Sequence, residues 1–443
     1  MEEKMKLEKQ WISDVLLPEI LNSGKLIVDD FVDTFKVRDI KINFIGGEEA
    51  FMLTICYRAT VEFEFTGKTC RRSLVVKKTP PLPIEIYNSI NFSGLFGNEV
   101  TAYSTIMPVL QKISAKVEGL PKIDVPRYFY SDLQRNSATL VLEDFGVHGW
   151  RVSKDKVNLS LEHIEASVKY LALFHGTCYA FKDTDRSAYD NLVINLRETR
   201  YANSEIHPEW DLTIKTSINR LVKATQKYQN EVDIKFLENL TNLVNEYFRY
   251  GKHMVQPVEP LAILCHGDYL RNNIAYKYGK EKDGEGNEVP EAAMMFDLQT
   301  LRVSSPMVDL SVLLAVSAYA EVRQKNFTRI LNTYWTTLVS TYETYTKTTA
   351  PEYLSFDSLL RELIRFLPYG LMISASFLMT LVDPPPNVSS DDFLIQERTT
   401  EEIVDDAMTR GGEVVDRELS HQVKEMYDLS RQYNVDLFEG FEL

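Results

Sequence analysis

The sequence predicts an α+β protein of two lobes, a β-rich N-terminal lobe over residues 1–143 and a larger, mainly helical C-terminal lobe over residues 144–443. Three observations carry this. From Lys41 to Leu142, apolar residues alternate with polar ones in short runs broken by glycine turns, the period-two signature of strands. Beyond Trp150 they recur at three- and four-residue spacing, the signature of helices packed on a core. Within the helical part, one polar, glycine-rich segment from Gly279 to Asn287 separates two apolar runs and reads as the loop of a β-hairpin.

The bulk numbers describe an ordinary soluble globular chain, with 443 residues, 44% hydrophobic and 26% charged, and room for a large core. The net charge of −15, from 49 basic and 64 acidic residues, excludes a general binder of nucleic acid or anionic membrane. A phosphate site would need its positive charge concentrated locally. Cys56, Cys70, Cys178 and Cys265 lack the paired spacing of a metal site, and Met1-Glu2-Glu3-Lys4 opens no apolar leader. Both point to a reducing, cytoplasmic setting. The uncharged run Phe366 to Val382 has 17 residues and contains Pro368, Gly370, Ser374, Ser376 and Thr380. A span needs about 20 predominantly apolar residues, so a buried core helix is the expectation and membrane insertion is not.

Taken in order, residues 7–21 set Trp11, Ile12, Val15, Leu16 and Ile20 at helical spacing, an amphipathic lead-in helix. Ile42 to Ile45, Met52 to Tyr57 and Thr60 to Phe65 read as strands, the first two joined by the turn Gly46-Gly47-Glu48-Glu49-Ala50. Such a turn can set backbone N–H groups over a phosphate. The strand Ser73 to Lys78 ends in Lys77-Lys78, and the stripe Phe96, Val100, Tyr103, Met107, Leu110 follows on a helix with Glu99 beside it. A carboxylate near a packed helix face needs a partner, and the strand's Lys77 can be one. Leu140 to Leu142 is a buried strand closed by Gly146. Ser160 caps a helix carrying Leu161, Ile164, Val168, Leu171 and His175, with His175 near its end as a core histidine, and residues 211–250 hold further helices closed by Gly251. Asp309 is placed to cap a helix over Leu310 to Ala320. Residues 384–443 begin with three prolines, are acidic, end in a helical stretch near Ile403 to Met426 and receive no chemistry.

The chemistry-bearing stretch is His266-Gly267-Asp268-Tyr269-Leu270-Arg271-Asn272-Asn273, followed by the hairpin that ends at Asp297. In an antiparallel hairpin the start of the first strand lies beside the end of the second, so Asn273 and Asp297 are expected as neighbours. With Asp268 on the preceding loop they make a hard-oxygen set suited to Mg²⁺ on phosphate oxygens.

His266-Gly267-Asp268 with Asn273 five residues after the aspartate, then Asp297-Leu298-Gln299, resembles the catalytic loop and metal aspartate of the aminoglycoside phosphotransferase and choline kinase group. Within it the chain most resembles the ecdysteroid kinase-like proteins of insects. Further matches are Val76-Lys77 before Pro80, Phe96 and Glu99, Leu142-Glu143-Asp144, Leu173-Phe174-His175, and Ser305-Pro306 ahead of Asp309-Leu310. The resemblance covers residues 40–380 and implies a bilobal protein-kinase-like fold, with ATP and Mg as cofactors and a small lipophilic molecule as acceptor. It implies that Asp268 takes or orients the acceptor's hydroxyl proton, that His266 steadies the loop, and that Asn273 and Asp297 hold Mg²⁺. Lys77, fixed by Glu99, and the Gly46-Gly47 turn would meet phosphates, and the Glu143 to Phe145 backbone would meet adenine. Two departures stand out. The glycine turn is acidic and lacks a full Gly-x-Gly-x-x-Gly pattern, and Arg271, within the loop, could meet a phosphate or pair with an acidic neighbour, the second being the favoured expectation. The rival reading is a catalytically silent carrier of a small ligand, against which the complete magnesium set argues. A protein kinase would need a longer passage from Asp297 to Ser305, and a hydrolase a nucleophile elbow; neither is present.

Overall fold

The computed structural model describes residues 2–24, 26, 35–45, 53–65, 67–80, 82–202, 208–284, 286–385 and 398–441. Gly46 and Gly47 lie outside the described residues.

The lead-in helix α1 (Glu2–Trp11) passes through a π-helical turn into α2 (Leu17–Asn22). The strands β1 (Phe35–Ile45), β2 (Ile55–Phe65) and β3 (Lys68–Lys78) follow, then the helices α3 (Ile84–Ser89), α4 (Phe92–Thr101) and α5 (Met107–Lys116). With β4 (Tyr128–Asp132) and β5 (Thr139–Glu143) the strands form one antiparallel sheet ordered β1-β2-β3-β5-β4. The two strands expected between Met52 and Phe65 are one, because β2 pairs without a break from Ile55 to Phe65 against β3.

Period two decides which side chain goes where on this sheet. Leu74 and Val76 of β3 point to one face and join Ile12, Leu16, Leu17 and Ile20 of the lead-in helix in a fully buried cluster. Val75 and Lys77 therefore point to the other face. That face opens on a cleft. The lead-in helix is also tied to the strand end, since Lys78 binds Glu8 and stands 3.9 Å from the centre of the Trp11 ring.

Beyond β5 the chain continues through β6 (Trp150–Val152), α6 (Leu161–Thr184), α7 (Arg186–Val193), α8 (Pro208–Tyr228), α9 (Ile234–Asn245) and α10 (Tyr247–Met254). Ser160 caps α6 by accepting from the His163 N–H. His175 is in the body of α6, which runs on to Thr184, and not near its end. Gly251 sits within α10 and does not close it, because its missing side chain makes room for the Tyr201 ring, which a Cβ would meet at 2.4 Å.

The strands β7 (Ile263–Cys265), β8 (Ile274–Lys282), β9 (Glu288–Met295) and β10 (Arg302–Ser304) then build two small sheets, β6-β8-β9 and β10-β7. In the β8–β9 hairpin Ile274 pairs with Met295, so the start of one strand and the end of the other coincide. Among the described residues the helices α11 (Met307–Ser317), α12 (Ala320–Thr346), α13 (Phe356–Val382), α14 (Thr400–Thr409) and α15 (Gly412–Gln432) follow. α13 is long and apolar enough to cross a membrane by length and composition, but 72% of its apolar window is buried inside the protein. That is the behaviour of a core helix. The one helical stretch expected near Ile403 to Met426 is two, broken at Gly411, which has a φ of 73°.

Candidate active site

The loop after β7 carries His266-Gly267-Asp268. Gly267 has a φ of 82°, and a Cβ there would lie 2.2 Å from the Thr300 carbonyl oxygen. Only glycine fits, on backbone and on space. The loop is held from beneath by Asp309, whose two carboxylate oxygens accept the N–H groups of His266 and Gly267 at 2.7 Å each. Asp309 is thus not the cap of α11: that helix begins at Met307 after Pro306, and Asp309 lies fully buried in its first turn, turned back to the loop. Burial alone would raise this carboxyl. The His175 and His266 imidazoles and the Gly267 N–H outweigh it and leave the group below its ordinary value.

His175, fully buried, completes the support. It meets Asp309 at 3.2 Å through Nε2 and the Tyr334 hydroxyl at 2.8 Å through Nδ1. His266 meets the Phe296 carbonyl at 2.9 Å, and its Nδ1 accepts the Asp268 N–H at 3.3 Å. It therefore ties the loop to the end of β9. Arg271 is buried and donates to the backbone carbonyls of Ser153 and Asp155. This carbonyl capture anchors the loop to the segment after β6.

The hairpin brings Asn273 and Asp297 side by side, with the Phe296 N–H donating to the Asn273 carbonyl at 3.0 Å. Asn273 Nδ2 donates to Asp268, at 2.8 Å to its carbonyl and 3.1 Å to Oδ2. The amide oxygen of Asn273 is then the atom left for a cation. Asp297 has a φ of 60°, and its N–H donates to the Tyr103 hydroxyl at 3.1 Å. A non-glycine residue in the left-handed region stores strain, a feature that collects at functional sites.

Lys77 reaches the same point from the sheet. Its Nζ lies 2.7 Å from Glu99 Oε2 on α4, 2.7 Å from Asp297 Oδ1 and 3.4 Å from Gln299 Oε1. The lysine and Glu99 are buried while Asp297 keeps 27% of its side chain exposed. Burial pulls the Lys77 ammonium down, but Asp297 and Glu99 more than offset this and hold it above its ordinary value. The Glu99 carboxyl is pushed up to about 7, by burial first, with Lys77 pulling against it and Asp297 adding to it.

These side chains line one cleft of about 1490 Å³. A site for one small molecule occupies roughly 300–1,000 Å³, so there is room for a nucleotide and an acceptor together. On one side the walls are Phe44, Val75, Leu142, Phe145 and Phe296, the last two rings 5.1 Å apart. Glu143 lines it too, but the N–H groups of Glu143 and Asp144 are spent on the Arg127 and Ser73 carbonyls at 2.8 and 3.0 Å. On the other side the walls are Trp210, Ile214, Phe248, Met372, Ile373 and Phe377.

Sequence reasoning finds Tyr334, Trp335, Tyr342, Tyr345 and Tyr369 better placed as core than as acceptor contacts, and they do pack in the core, none of them lining the cleft. It also gave residues 384–443 no chemistry, whereas Arg398, Asp406 and Arg410 line the cleft. The residue it missed nearest to Asp268 is Arg200, whose Nη2 lies 2.7 Å from Asp268 Oδ1. No local pattern marks that arginine, because the contact spans 68 residues of sequence.

The donor set of Asn273 and Asp297 is oxygen only and fits a hard divalent cation, with Lys77 beside it as a compact charge for phosphate oxygens. Comparison with curated proteins gives no match. The model of the ecdysteroid kinase-like family, a group of kinase-like phosphotransferases acting on small molecules, matches residues 48–346, more than half of the 443-residue chain. The chain belongs to the ecdysteroid kinase-like family.

Proposed function

We propose that the protein is an ATP- and Mg²⁺-dependent phosphotransferase that phosphorylates a hydroxyl group on a small, lipophilic acceptor. The observation that supports it most is the convergence of Asp268, Asn273, Asp297 and Lys77 in one cleft large enough for two ligands. Phosphoryl transfer asks a protein mainly for alignment and for charge placed where the transition state spreads it. When bound, Mg·ATP supplies the phosphoryl group and the cation. Asn273 and Asp297 would hold the cation through their oxygens, and Lys77, kept charged by Glu99, would donate to phosphate oxygens. Asp268, steadied by the Asn273 amide and the Arg200 guanidinium, would orient the acceptor hydroxyl and take its proton. The apolar walls from α8, α10 and α13 support a lipophilic acceptor of steroid or xenobiotic size.

The test is a screen with γ-labelled ATP against ecdysteroids, other sterols, choline and plant phenolics, with Asp268→Asn alongside the wild type. Label should enter one hydrophobic class, and the variant should lose about 10²-fold or more of the rate. No transfer to any compound, together with thermal stabilisation by a lipophilic compound alone, would favour a carrier.

A further inference from the structure

Arg200 lies after α7, in residues 194–202, which hold no helix or strand, yet its placement is built in three layers. The neighbouring Arg197 exchanges hydrogen bonds with Asn98 of α4, the N–H donating at 3.0 Å and the carbonyl accepting at 2.7 Å. The same Asn98 also donates to the Leu301 carbonyl at 3.2 Å, just ahead of β10. Glu198 accepts the N–H groups of Arg200 and Tyr201 at 2.8 and 2.9 Å and pairs with Arg302 of β10 at 3.1 Å. The guanidinium is thereby carried to Asp268, where Nη2 sits 2.7 Å from Oδ1, and its other amino group, Nη1, is buried without a hydrogen-bond partner among the described residues.

A buried N–H left unmade is costly, and an arginine is five donors in a fixed fork. Here one arm is spent on Asp268 and the other, though buried, has no partner among the described residues. The geometry also fixes what can approach. If Asp268 takes the proton of the acceptor hydroxyl, the oxygen that loses it is the one that bonds phosphorus, so a guanidinium on that carboxylate stands beside the phosphoryl group. The Lys77 ammonium is shared between Glu99 and Asp297 at 2.7 Å each, which leaves little of its charge for an incoming polyanion.

Resting on the phosphotransferase reading, we propose that Arg200 is a catalytic residue that clamps the transferring phosphoryl group from the acceptor side. As the hydroxyl oxygen forms its bond to phosphorus, the bond to the departing diphosphate oxygen breaks and the hydroxyl proton passes to Asp268. Arg200 donates its free N–H to an oxygen of the group in flight. Lys77 acts on the nucleotide side and Arg200 on the acceptor side, the two cations bracketing the reaction.

The experiment titrates the full chain by calorimetry with Mg·ADP, with and without aluminium fluoride as a mimic of the phosphoryl group in transfer. The wild type, Arg200→Ala and Arg200→Lys are compared. Fluoride should tighten Mg·ADP binding to the wild type about 10-fold or more, in line with the loss seen when one charge-stabilising donor is removed from a transition state. Arg200→Ala should bind Mg·ADP within about twofold of wild type and lose that gain, whereas Arg200→Lys, which keeps the charge but not the fork, should recover part of it. A gain intact in Arg200→Ala, or absent in a wild type that binds Mg·ADP, overturns the role of Arg200 and leaves the phosphotransferase reading standing. A wild type that does not bind Mg·ADP overturns both.

Discussion

At the level of single residues, the triad of Lys77, Glu99 and Asp297 sets the behaviour of the site. Two carboxylates share one ammonium at 2.7 Å each, and the deeper of them, Glu99, titrates at about 7 in the folded chain against an ordinary value of 4.5. Between those values the folded protein keeps a proton that the unfolded chain has released. Unfolding sheds it, so this group's contribution to stability falls as pH rises from 4.5 towards 7 and is flat on either side. Urea unfolding at pH 5 and pH 7.5 should show the wild type losing more stability over that step than Glu99→Gln does. An equal pH dependence in both proteins would mean that Glu99 is not the titrating group.

Asp268, Asn273 and Asp297 could be named from the sequence because a short loop and one hairpin bring them together, and both are local patterns. Lys77 and Glu99 needed one further step, a charged residue on an apolar strand matched to a charged residue beside an apolar helix stripe. Arg200 and Asp309 escaped because their partners lie 68 and more than 40 residues away, and nothing at their own positions differs from a surface arginine or a capping aspartate.

At the level of elements, α11 supports the His266-Gly267-Asp268 loop through one carboxylate. Removing the Asp309 side chain leaves two buried N–H groups and His175 without their acceptor. Asp309→Ala should cost about 3–5 kcal/mol, as breaking buried charged pairs does, read from the urea midpoint. A loss below about 1 kcal/mol, in the range of an ordinary surface change, would show that the loop does not depend on it. Gly267→Ala attacks the same loop from within, through its φ of 82° and the Thr300 carbonyl oxygen. It should lower stability by about 1–3 kcal/mol, the usual cost of such backbone strain, and thermal unfolding would detect it. A variant with an unchanged midpoint would argue against the tight approach.

The type of most elements was legible in the sequence, since the alternation in β2, the short apolar run of β5 and the stripes of α4, α6 and α9 are strong. Ends were less so. Gly251 reads as a stop signal, but it serves as a gap for Tyr201, a role visible only once α10 is packed against the Arg200 link.

At the level of the whole molecule, the site is assembled from three remote regions. The sheet supplies Lys77, the loop and hairpin supply the carboxylates, and α8, α10 and α13 supply the apolar wall. The last helices close that wall. Arg220 of α8 donates to the carbonyls of Arg410 and Gly412 at 2.7 and 2.8 Å and binds Asp416 at 2.6 Å. This fixes Arg410 and Asp406 at the cleft, which is why a tail with no motif of its own belongs to the site. The central claim is that the cleft takes a nucleotide through a divalent cation held by Asp297. Calorimetric titration of the full chain with ATP, with and without Mg²⁺, tests it most directly. The wild type should bind with Mg²⁺ and lose most of that affinity when the cation is chelated, and Asp297→Ala should bind weakly and alike in both conditions. Equal Mg²⁺ dependence in the two proteins, or no binding of ATP by the wild type, would contradict the account.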